Sequence, residues 1–258
     1  MAIKSNDSTT TVMGSGITYY SGISNFKVVA VNPNLEKLHE IGVMYKTEPN
    51  YDVNFGGEDF TKLVFWLKNE DLTTSLEILV SSDPKISRNG KPQWINSIGQ
   101  TSYSDVVPTD NPKLHWWKPE GTHKCVKGED KLIAFTQAWA NVASGDEVTY
   151  SSLDKIVKGD VTELNAVAQL LENNEIRLLV GVRQSEKGKN YQKVYDKFFG
   201  RISPQRDDLF ATKLNDEYGS FDAEFATDLQ WGPHSPEVTT VQPDPAPALI
   251  LDEGEDWN

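Results

Sequence analysis

A mainly β fold with helical insertions is predicted by three observations. Short apolar runs rich in Val, Ile, Phe and Tyr recur, bounded by turn residues. From residue 60 onward, three of these runs precede a helical stretch and two follow it. An Asn89-Gly90 dipeptide, a strong hairpin signal, sits beside the third run.

The elements follow in chain order. Residues 1–16 are rich in Ser, Thr and Gly and read as a disordered N-terminal segment. NFKVVAVNP (25–33) has strand character. Residues 32–42 predict a short helix, with Asn32 as its cap, Pro33 in the first turn and Gly42 at the exit. Residues 46–59 read as a loop. FTKLVFWLK (60–68) and SLEILVSS (75–82) are strands, and a further strand is expected over about 92–103. Residues 104–128 carry Pro108, Pro112 and Pro119 and read as loop. In 128–145, Leu132, Phe135, Trp139 and Val142 recur at helical spacing, with Gly145 as a stop. A second helix is expected over 160–173, opened by Asp160 and Glu163 in a capping-box arrangement. EIRLLVGVRQ (175–184) and YQKVYDKFFGR (191–201) are strands around a turn, and a short helix is expected near 206–215. From Gly232 onward, Pro233, Pro236, Pro243, Pro245 and Pro247 mark an extended linker.

Strand, strand, strand, helix, strand, strand is the order of the five-stranded OB-type Greek-key barrel, whose helix lies between strands 3 and 4. Here two helices fill that place. Another α+β domain is the alternative. The expected domain spans 17–231, with a disordered Pro-rich linker and acidic tail over 232–258.

A net charge of −13 argues against a broadly phosphate-binding surface. The distribution qualifies this. Residues 236–258 hold six acids and no Lys or Arg, whereas three segments are locally basic. Residues 85–103 carry Lys85, Arg88 and Lys91 without an acid, beside Trp94 and Tyr103. Residues 113–131 carry Lys113, Lys118, Lys124, Lys127 and Lys131 against three acids, around Trp116-Trp117. Residues 183–201 carry Arg183, Lys187, Lys189, Lys193, Lys197 and Arg201 against two acids, among Tyr191, Tyr195, Phe198 and Phe199. Cations neutralise phosphates and aromatic faces stack on unpaired bases, so this mixture suits single-stranded nucleic acid. Strand alternation would place Tyr191, Lys193, Tyr195 and Lys197 on one face; the alternative buries the two tyrosines in a core. Two adjacent Trp side chains in a Pro- and Lys-rich loop do not readily share one core.

The YYSGISNFKVVAVNPNLEKLHEIG opening, the GVRQSEKGKNYQKVYDKFFGRI hairpin and the LILDEGEDWN tail resemble phage-encoded single-stranded DNA-binding proteins. The resemblance spans most of the chain, on soft patterns. It implies a basic, aromatic barrel groove and a disordered acidic tail with an aromatic tip. Such a tail recruits replication or recombination proteins and competes with DNA for the groove. Carried over, Asp252, Glu253, Glu255 and Asp256 supply the charge and Trp257 the tip. Asn258 follows the aromatic, whereas the bacterial pattern ends on Phe itself, so a phage-encoded partner fits better than a host pocket. The alternative for the tail is a solubility device.

Other chemistry is poorly supported. The sequence has no phosphate-binding loop, no GxGxxG and no HExxH, so no catalytic role and no cofactor are expected. His115, His123 and Cys125 have ligand-like spacing but lack an evident fourth zinc ligand. Acid pairs such as Asp207-Asp208 read as solvated faces, although a nuclease with carboxylates converging from distant positions stays open. One cysteine allows no internal disulfide and suits a reducing compartment, here the cytoplasm of an infected bacterial host. No stretch is apolar enough for a membrane helix, and no secretory signal opens the chain. The rival functions are a protein-interaction or transcription-regulating module on the same fold, and a carbohydrate-binding module. The sequence leaves oligomeric state open, self-association included.

Overall fold

The computed structural model describes residues 18–141, 153–184, 190–195 and 230–234. The N-terminal segment, the 206–215 helix and the acidic tail lie outside them, as does most of the turn before Tyr191.

A long first strand organises the sheet. β1 (Tyr19–Val31) pairs along Gly22–Lys27 with β8 (Glu175–Gln184), and along Lys27–Val31 with β3 (Glu58–Lys68). β3 carries β4 (Thr73–Val80) along one edge and β2 (Asp52–Phe55) near its start, and β8 carries β9 (Asn190–Val194). Every pairing is antiparallel. The continuous run LVFWL in β3 is explained by burial on both faces. Leu63, Phe65 and Leu67 enter the main core, while Val64 and Trp66 pack under Leu38 and Val43. Leu38 belongs to α1 (Leu35–Glu40).

Between β4 and β8 come, among the described residues, a small three-stranded sheet, order β6-β5-β7, two short 3-10 turns and three α-helices. Its strands are β5 (Gln93–Ile95), β6 (Thr101–Tyr103) and β7 (His123–Lys124). The helices are α2 (Glu129–Trp139), α3 (Leu153–Ile156) and α4 (Thr162–Leu170). Leu132, Phe135 and Trp139 of α2 fill the main core at the spacing read from sequence, and Phe135 meets Phe65 with ring centroids 4.4 Å apart.

The described strands form antiparallel sheets and no closed barrel. Among the described ladders, β4 pairs only with β3 and β9 only with β8. Some of their Cα atoms come within 8 Å, yet no ladder pairs them among the described residues.

Several local expectations change. The 46–59 loop contains β2 and a hairpin turn at Gly56 and Gly57, with φ of 61° and 89°, the positive values that a two-residue turn requires. Asn34, not Asn32, caps α1 by accepting from Lys37 N. Asn32 instead uses its side-chain amide to bond Val64 N and Lys62 O of β3. The expected strand at 92–103 is two strands folded back on each other, β5 and β6. The expected Asp160–Glu163 capping box is replaced: Val161 is the N-cap of α4, with no side-chain cap bond, and Asp160 accepts from Thr162 N just ahead of the helix. Gly232–His234, placed by sequence in the linker, form β10 and pair with Tyr19–Ser21. Trp231 anchors that return by stacking on Tyr20 at 5.3 Å and bonding Asp71 through Nε1. Gly22 makes it possible: its φ is 108°, and a Cβ there would stand 2.4 Å from the Gln230 carbonyl oxygen.

Candidate nucleic-acid interface

Two of the three basic segments, 85–103 and 113–131, are brought together in one module. Backbone bonds lay three stretches side by side: Lys85 N to Cys125 O, Cys125 N to Gln93 O, and Gln93 N to Lys85 O. Beneath them Ile95 and Cys125 pack on Ile133 of α2, a small apolar floor. Ser87 and Lys91 close the predicted Asn89-Gly90 turn.

Charge pairing then divides the cations. Lys85 is bonded to Asp130 at 2.6 Å, Lys91 lies 3.0 Å from Asp105, and Lys127 is bonded to Glu58 of β3. These three hold the module together and to its neighbours. Arg88, Lys113, Lys118 and Lys124 are exposed and make no ion pair among the described residues. Their charge remains available to a ligand.

The aromatics divide as well. Trp116 is 46% exposed and Tyr103 44%, whereas Trp117 is only 7% exposed and donates through Nε1 to Thr122 Oγ1 at 2.9 Å. A 3-10 turn at Pro112–Leu114, capped by Asn111 and continued by Trp117 N to Leu114 O, leads into this pair. Only Trp116 of the two remains open to solvent. Trp94 is half-buried, with Nε1 fixed on Ser104 O. Its cross-strand partner is Lys124, whose Nζ lies 5.9 Å from the indole centroid. That is cation–π range. Lys124 belongs to a segment legible as basic, but only the β5–β7 register identifies it as the neighbour of Trp94.

The third basic segment lies in the main sheet. In β9, Tyr191 and Lys193 share the partly open face, while Gln192 and Val194 face inward. Tyr195 departs from the expected alternation: the strand ends at Val194, and the tyrosine is 1% exposed, with its N–H on Leu179 O. Its ring meets Lys193 Nζ at 4.9 Å. Trp117 and Tyr195 are thus enclosed and cannot stack on a base without rearrangement. Arg183 is opposite Tyr191 in the backbone ladder. Lys187, Lys189 and Lys197 lie outside the described residues, as do Asp252, Glu253, Glu255, Asp256 and Trp257.

The zinc-like spacing has a different use. His123 Nδ1 faces Gly121 O and Nε2 faces the buried Glu129 carboxylate, both at 2.7 Å. Two acceptors satisfy both ring nitrogens only when the imidazole is protonated. The Glu129 bond accordingly raises the His123 pKa above its ordinary value. Burial pushes the Cys125 thiol up to about 12, and its Sγ points to Val126 O. No group of three His, Cys, Asp or Glu side chains among the described residues is placed to hold a metal. No described helix is long and apolar enough to cross a membrane. Comparison with protein-family models, curated proteins and solved structures gave no match.

Proposed function

We propose that this chain coats and protects single-stranded DNA, without sequence preference, during phage replication, recombination or repair. The observation that carries the reading is the 83–127 module, where open Trp116 and Tyr103 and half-buried Trp94 stand among four cations that make no ion pair among the described residues. Each stacked base is worth about 1–3 kcal/mol. Four neutralised phosphates correspond to a log–log salt slope of about −3 for a single strand. Unpaired cations favour a phosphate polymer over a neutral sugar.

The fold supports the same reading. Taking β1, β3, β4, β8 and β9 as the five barrel strands, β1 lies between the second and fourth, and the third and fifth approach each other. Read this way, the order matches the Greek key of an OB-type barrel, with the module and helices between strands 3 and 4; the 92–103 segment, counted from sequence as the third strand, belongs to the module instead. The ladder is open at the β4–β9 seam. In this reading the tail at Asp252–Trp257 recruits replication or recombination proteins and competes with DNA. The site of action is the cytoplasm of the infected host, and neither cofactor nor catalysis is required. A protein-interaction role is the second reading. It is favoured by Ile86 and Val106, which are exposed in the same module.

The test is a titration with a dT strand of about 30 nucleotides and a duplex of equal length, following Trp fluorescence across salt concentrations. Quenching by the single strand, with affinity falling as salt rises, is expected. No response to either, even with the tail removed, would move the weight to a protein partner. Deleting 236–258 is expected to tighten binding, most at low salt.

A further inference from the structure

The loop that carries Trp116 and Lys118 has no strand partner for those residues; two side-chain amides hold it. Asn96 is fully buried. Its Nδ2 donates to Lys118 O at 2.8 Å and to Gln100 Oε1 at 2.7 Å, and its Oδ1 accepts from Gln100 N at 2.9 Å. Gln100 Oε1 also accepts from Lys118 N at 2.9 Å, and its Nε2 donates to Trp116 O at 3.4 Å. Both backbone groups of Lys118 are therefore satisfied by Asn96 and Gln100, as a neighbouring strand would satisfy them.

The turn bearing these amides is tightly set. Gly99 has a φ of 76°, and a Cβ there would meet Ile133 at 3.0 Å. Gly121, at the far end of the Trp loop, would bring a Cβ to 3.0 Å from Ser97. Ser97 N bonds Glu120 O between them. The β5–β6 turn and the 116–121 loop thus dock by close backbone approach and amide bonds.

We propose that Asn96 and Gln100 are positioning residues that preset Trp116 and Lys118 for the nucleic-acid strand. The site is then formed before DNA arrives, and less ordering cost falls on binding. This inference rests on the single-strand reading above.

The test is a double-mutant cycle in the full chain. Gln100→Met keeps the side-chain volume and removes the amide; it is combined with Trp116→Ala, and affinity for a labelled dT strand is read by anisotropy. Gln100→Met is expected to weaken binding at least about fivefold alone, but less than about twofold on top of Trp116→Ala. Equal losses in both backgrounds, or no loss in the first, would overturn the inference. A second readout does not need DNA. In protein labelled with 5-fluorotryptophan, Gln100→Met should shift the Trp116 resonance, assigned by Trp116→Phe, and leave those of Trp66 and Trp139 in place. An unmoved Trp116 resonance overturns the positioning role. If the wild-type chain ignores dT while the resonance shifts, the single-strand reading fails and the positioning stands.

Discussion

The main sheet and the 83–127 module use the same residue types in opposite ways. In the sheet and the α2 helix packed on it, Trp66, Phe65, Phe135 and Trp139 are buried and supply cohesion. In the module a small apolar floor of Ile95 and Cys125 on Ile133, with the enclosed Trp117, is supplemented by ion pairs and amide bonds. Trp116 and Tyr103 are thereby left free of structural duty. A region held by polar contacts can present aromatics to a ligand; a region held by its aromatics cannot.

Substitutions should separate the two regions. Phe135→Ala should have the largest effect, destabilising the chain by about 3–5 kcal/mol in denaturant unfolding, because the cavity lies against Phe65 and Trp139. The adjacent tryptophans should then split. Trp117→Ala should lower the melting temperature, through lost packing and the lost bond to Thr122. Trp116→Ala should leave melting unchanged and weaken single-strand binding by about 1–3 kcal/mol. Equal behaviour of the two would erase the distinction between framework and surface. Among cations, Lys118→Ala should reduce the salt slope by about 0.7 with little change in melting. Lys85→Ala should do the reverse, costing about 1 kcal/mol of stability at a partly exposed ion pair.

The smallest expected effect is pH-dependent. His123 has a folded pKa raised first by its bond to Glu129. Its stabilisation is fully present below the unfolded value of about 6.5 and is lost as pH rises through the raised folded value. Melting curves of wild type and His123→Gln should therefore differ most in mild acid and converge in alkali. A constant gap across that range would show that the proton on His123 does not matter.

Which parts were legible depends on range. Leu132, Phe135 and Trp139 lie on one helical face, and the core accepts them as read. The Asn89-Gly90 turn is local chemistry and is found where expected. The Gly56-Gly57 hairpin was equally local, but its flanks are short: Asp52–Phe55 alternates over only two apolar positions, Val53 and Phe55, and Glu58-Asp59 open the return strand with two acids. β10 could not be read locally, because Gly232-Pro233-His234 has no strand signal and is strand only through Tyr19–Ser21 and the Trp231 anchor.

The sequence by itself determined the mainly β character, the α2 helix and the two strands that follow it, and the concentration of cations and aromatics in 85–131; it did not place 92–103 in a separate sheet or make β1 the central strand. These follow from side-chain period and composition, which each segment carries alone. Only the tertiary structure decided that Trp116 is open and Trp117 enclosed, that Lys85, Lys91 and Lys127 are neutralised, and that Lys124 lies beside Trp94. Burial and pairing belong to residues distant in the chain, and are fixed only when the strands acquire neighbours and register.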